Sequence, residues 1–143
     1  MKKGLFVLNS IIAVLGTMGV AVAKAMGGWD ATLQVLVALV AVDYASGLTV
    51  AIVEKKLDSN VGFRGIMKKV FIFALVYLAV LIDKTISTDF IRTLTVTFYI
   101  ANESISILEN AGKLGVPYPK KLKEVLVQLK KSTEDKADGN NKA

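Results

Sequence analysis

The sequence predicts an all-α integral membrane protein with four transmembrane helices, or three if the N-terminal block is cleaved or peripheral, and a C-terminal amphipathic helix. Three observations predict it. Of the 143 residues 53% are hydrophobic and the mean hydropathy is +0.52, too apolar for an ordinary soluble domain. The apolar residues are gathered into blocks near the ~20 residues that a helix needs to cross a bilayer. Basic residues collect between the blocks, with 2 at Lys2 and Lys3, 5 in 54–69 and 8 after 112. The expected organisation is a single membrane domain over 1–131, with spans at about 5–26, 31–53, 66–86 and 88–110 and an amphipathic helix over 120–131. A disordered polar tail, 132–143, is expected to follow.

The first block runs apolar from Leu5 to Met26, interrupted by Asn9, Ser10, Thr17 and Lys24. A basic start and Ala21-Val22-Ala23 fit a cleaved secretory signal. The length fits an uncleaved span better, because signal cores run only ~7–15 residues. Ala13, Thr17 and Ala21, with Gly16 beside them, form a small-residue ridge suited to close helix packing, or a chance scatter in a tolerant apolar segment. Gly27-Gly28-Trp29-Asp30 reads as a tight turn with an aromatic residue at the membrane surface.

The second block, 31–53, is interrupted at its midpoint by Asp43 and Tyr44. A carboxylate at that depth costs at least ~2.5 kcal/mol on insertion scales, so Asp43 must be neutralised, paired or hydrated. It either fixes helix packing through a hydrogen bond or faces a solvated lumen or subunit contact. Ala41, Ala45 and Thr49 repeat the small-residue spacing. Residues 54–69 read as a polar cytoplasmic connection, with Lys55, Lys56, Arg64, Lys68 and Lys69 as topology signals facing anionic lipid. The third block is strictly apolar only over 70–82 and reaches membrane length by adding its flanks. Asp83-Lys84 is expected to be an interfacial ion pair.

The fourth block, 90–110, is apolar on one side and polar on the other. At about 100° per residue, Tyr99, Asn102, Glu103, Ser106 and Glu109 fall in one sector with Arg92 and Asn110. Such a helix needs two different neighbours: lipid on one face, and protein or water on the other. Asp43 and Glu103 come to one depth, ~18–21 Å in at 1.5 Å per residue, with no basic partner expected between them. They are therefore expected to be protonated or hydrated. Two glycines and both prolines of the chain end this block. In the next segment Leu122, Val125, Leu126 and Leu129 share a face flanked by Lys120, Lys121 and Lys123. That face suits an anionic leaflet or a partner copy; a solvated basic tail is the plainer reading.

The charge of +6 is distributed as topology signals, without the interleaved aromatics of a nucleic-acid surface, so no nucleic-acid partner is expected. Neither Cys nor His is present, which removes the usual zinc, thiol and imidazole chemistries. No enzyme, catalytic residue, metal or cofactor is expected. Basic residues mark the cytoplasmic side, so both termini are expected inside.

These residues also carry a resemblance. Gly-Gly-Trp-Asp at 27–30, Asp-Tyr-Ala-Ser-Gly at 43–47 and Ser59 through Lys69 with its Gly-Phe-Arg-Gly core stand in order. Leu-Ala-Val-Leu-Ile-Asp at 78–83, Phe98 through Asn110 and Gly-Val-Pro-Tyr-Pro at 115–119 complete the pattern. Over roughly 27–130 the chain resembles the bacteriophage holin family that includes clostridial toxin-secretion holins. The resemblance implies a homo-oligomer in the bacterial cytoplasmic membrane and a timed lesion for host-cell lysis or toxin secretion. It also implies a functional link to an endolysin or toxin without direct binding. Two rivals stand beside it: a small proton- or ion-coupled transport protein relaying through Asp43 and Glu103, and an antiholin that regulates a holin of the same fold.

Overall fold

The computed structural model describes residues 2–139, and these form five helices: α1 (Lys2–Ala25), α2 (Ala31–Val53), α3 (Ser59–Ile86), α4 (Phe90–Lys113) and α5 (Lys120–Gly139). No strand occurs among the described residues. Three segments are long and apolar enough to cross a membrane: Gly4–Ala25, Ala31–Val53 and Ser59–Ile86. Helix α4 is of similar length, but its polar edge keeps it outside that class.

Helix α2 has the expected bounds, set by Asp30, whose carboxylate accepts the Leu33 amide at 2.9 Å. Helix α3 starts at Ser59, seven residues before the expected 66, so the polar connection shrinks to 54–58. The cause is a second aspartate cap: the Asp58 carboxylate accepts the Val61 amide at 2.7 Å. The glycines in this added stretch serve packing, because a Cβ on Gly65 would lie 3.1 Å from the Tyr44 ring.

The Asp83-Lys84 pairing is corrected. Asp83 is buried and accepts the backbone amides of Ile91 at 3.0 Å and Arg92 at 2.7 Å, while Lys84 stays exposed. The first turn of α4 has unsatisfied amides and the positive end of the helix dipole, and Asp89 makes no side-chain cap there. Asp83, one helix back, takes that role and fixes the α3–α4 hairpin.

Helix α4 is central, packing against α2, α3 and α5. Its core contacts come from the seam Leu33, Leu36 and Val40 on α2, Ile72 and Val76 on α3, and Val96 on α4 itself. On α1, every residue from Gly4 to Val22 is exposed. Helix α5 turns back along α4 after Gly115 and continues to Gly139. Residues 132–139, expected to be disordered, are therefore helical. Lys130–Glu134 and Lys131–Asp135 stand at supporting i,i+4 spacing, and buried Thr133 donates to the Lys130 carbonyl at 2.6 Å. Residues 140–143 of that tail lie outside the described residues.

Candidate functional site

The polar edge of α4 is split between two neighbours. One flank, with Glu103, Ser106 and Asn110, faces α2 and α3 across a cavity of about 840 Å³. Asp43, Tyr99 and Asn102 line the same cavity, so five of the six residues predicted for a polar membrane face meet around one space. Glu109, the sixth, is exposed and accepts from Lys123 Nζ of α5 at 3.3 Å.

The centre of the cavity is an ionic triad. Lys69 of α3 donates to both the Asp43 carboxylate of α2 and the Glu103 carboxylate of α4. Glu103 is only 3% exposed at its side chain. Asn110 Nδ2 extends the network, donating to Ser46 Oγ at 2.9 Å and to Asp43 Oδ1 at 3.3 Å. Among the described residues, no buried side-chain nitrogen or oxygen lacks a partner.

This corrects two expectations. A basic residue does stand between Asp43 and Glu103, and Lys69 turns inward from the basic run instead of facing lipid. The physical reason lies in the seam of α3: Lys69, Ile72, Val76, Ala79, Val80 and Asp83 follow at three- and four-residue steps. The residue at 69 therefore inherits the core-facing direction of the residues after it. Lys55, Arg64, Lys68, Lys120 and Lys121 are exposed, and Lys56 pairs with Glu54 at 2.8 Å.

The triad balances one cation against two anions. The ammonium and the two carboxylates keep hydrogen-bonding capacity beyond these contacts. The arrangement can hold three membrane-length helices together while they are dry, and can admit water or a proton if they part. Among the described residues no cluster of three or more acids converges as metal ligands.

A second polar cluster lies toward the other end of α4. Arg92 donates from Nε to the Met26 carbonyl at 2.6 Å, from one terminal nitrogen to Asp30 Oδ2 at 2.7 Å and from the other to the Gly28 carbonyl at 3.4 Å. Gly27 makes room for it, with φ +88° and a Cβ position that would fall 2.6 Å from Arg92 Nε. The Arg92 hydrogen bond holds the Asp30 carboxyl well below the usual carboxylate range.

The small-residue positions stand elsewhere. Ala13, Gly16 and Thr17 on α1, and Ala41, Ala45 and Thr49 on α2, are exposed, and both threonine hydroxyls donate to carbonyls of their own helices. On α2 these positions lie away from the seam of Leu33, Leu36 and Val40 that packs in the core.

Comparison with known proteins adds the family. The model of the bacteriophage holin family matches residues 20–131. The chain is 41% identical over 125 residues to an uncharacterized 14.9 kDa protein in the nagH 3′ region of Clostridium perfringens, covering 86% of this chain and 95% of that one. An uncharacterized protein of Halalkalibacterium halodurans is 43% identical over 119 residues, 79% of this chain and 88% of the relative. One from Listeria innocua is 36% identical over 132 residues, 92% and 94%. No solved structure matches the chain.

Proposed function

Because the chain belongs to the bacteriophage holin family, we propose that it is a non-enzymatic holin that oligomerises in the cytoplasmic membrane. It forms a timed lesion there for release of an endolysin or toxin. In this reading α1 to α4 all span, with both termini cytoplasmic, and the basic connections face anionic lipid. The observation that supports it best is the Asp43–Lys69–Glu103 triad. It folds the polar flank of α4 inward, so that the protomer can present apolar residues to lipid while storing a wet surface inside. Self-association through the exposed small-residue ridges of α1 and α2 would let the helices part and turn that surface toward a water-filled opening. Hydrolase or toxin would then cross without binding the protein directly.

The test is induction of this protein alone, recording membrane potential, viability and leakage of a folded cytoplasmic enzyme. A holin gives abrupt loss of all three after a delay. The triad and its cavity also favour a second reading, coupled transport of protons or ions, which predicts graded proton flux with no protein leakage. An antiholin gives neither outcome. Replacing Glu103 with Leu changes lesion timing without changing insertion; unchanged timing at equal expression overturns the role given to the polar flank.

A further inference from the structure

The other flank of α4 raises a separate question, because α5 covers it. Lys130 Nζ donates to Asn102 Oδ1 at 3.0 Å and sits 5.3 Å from the Phe98 ring centre, and Thr133 is buried beside Leu94 and Thr95. Antiparallel to α4, α5 brings Lys131, Glu134 and Asp135 alongside the middle of α4, and all three side chains are exposed. If α4 is surrounded by lipid, those charges lie in hydrocarbon, where charged groups are strongly disfavoured. The docked position of α5 therefore carries a cost in a bilayer, which its contacts with α4 must offset.

Helix α5 carries a second face that supplies an alternative seat. Leu122, Val125 and Leu129 form an exposed stripe beside the face docked on α4. Lys120, Lys121, Lys123, Lys130 and Lys131 stand around it, against Glu124 as the one acid between 120 and 131. An apolar stripe with that excess of cations is complementary to an anionic lipid surface, into which it would sit parallel to the plane.

We propose that α5 is an exchangeable strap with two seats: the Phe98–Asn102–Glu109 flank of α4, and the anionic surface of the cytoplasmic leaflet. Strapped, it masks this flank from a second copy; seated on lipid, it leaves the flank open. The proposal rests on the proposed function only in placing α4 in the bilayer. Its readout is a distance, so it succeeds or fails whether or not lesions form.

The natural chain has no cysteine, so the full-length protein can be spin-labelled at Thr93→Cys and Glu134→Cys and reconstituted in vesicles. In neutral phosphatidylcholine the short distance of the strapped form predominates. Adding one-third phosphatidylglycerol raises the long-distance population at least threefold, and 0.5 M salt reverses most of that rise. Val125→Glu keeps the short distance in both lipids. Lys121→Gln with Lys131→Gln tests the cations without touching the apolar stripe, and also holds the strap down. A distance that ignores headgroup charge overturns the proposal. So does one that lengthens with protein-to-lipid ratio at fixed lipid, which would assign the stripe to a second copy, or a Val125→Glu protein that opens like the natural one.

Discussion

Two polar clusters brace α4, and they solve different problems. Toward its start, Arg92 reaches two backbone carbonyls of the α1–α2 turn and Asp30, whose side chain is 46% exposed. Toward its far half, Lys69 holds two carboxylates, of which Glu103 is almost wholly enclosed. The first cluster borders water and can lose a member to solvation. The second is more enclosed, since removing its cation leaves two acids between three helices with only the cavity to solvate them. Similar chemistry therefore makes a clasp at one level and a latch at the other.

The sharpest way to break this contrast is Lys69→Met, which should cost ~3–5 kcal/mol as the penalty for uncompensated buried charge. Thermal unfolding in neutral detergent measures it. The triple change Asp43→Asn, Lys69→Met, Glu103→Gln should recover most of the loss, because neutralising a whole buried network is often neutral or stabilising. A Lys69→Met protein as stable as the natural one would show that the latch holds nothing.

Arg92→Lys is next, at ~1.5–3 kcal/mol for hydrogen bonds that a single ammonium cannot reproduce at all three acceptors. Asp83→Ala removes the cap shared by the α3–α4 hairpin and should cost ~0.5–2 kcal/mol in the same assay. Faster hydrogen exchange at the Ile91 and Arg92 amides would locate that loss.

Asp30→Asn should be the mildest, at ~1 kcal/mol or less, because this pair is partly in water. Its pH dependence sharpens the comparison. The folded carboxyl is depressed by the Arg92 hydrogen bond, so its contribution is fully present above the ordinary value of ~3.9 and is lost only as pH falls through the depressed one. The difference in Tm between the variant and the natural protein should be equal at pH 5 and pH 8. A difference that disappears between those values would reassign the effect to another group.

Much of this arrangement was legible in the residues. The turn ending at Asp30 and the charges that begin at Glu54 marked the two ends of α2, and the period of 90–110 placed Tyr99, Asn102, Glu103 and Ser106 together. The partner of the acids was hidden because Lys69 closes a basic run that reads as a loop. Asp58 before Ser59 was the overlooked start signal, and extending the 72–76–79 seam backward by one step reaches Lys69. Asp83 was hidden for a related reason: its neighbour Lys84 offered a simpler partner, whereas its actual ligands are backbone amides that no sequence displays. The return of α5 along α4 has no local signature, since its face pattern suits a lipid surface equally well.

Gly27 and Gly28 have φ of +88° and +114°, and ahead of them α1 is exposed from Gly4 to Val22. For the packing of the other four helices, that joint makes the leading segment a detachable handle, whose length and greasiness matter more than its spelling. An unrelated apolar stretch of equal length in place of residues 4–22, with buried Met26 kept, should leave the remaining bundle undisturbed, whereas a single methyl group added at Gly27 should not.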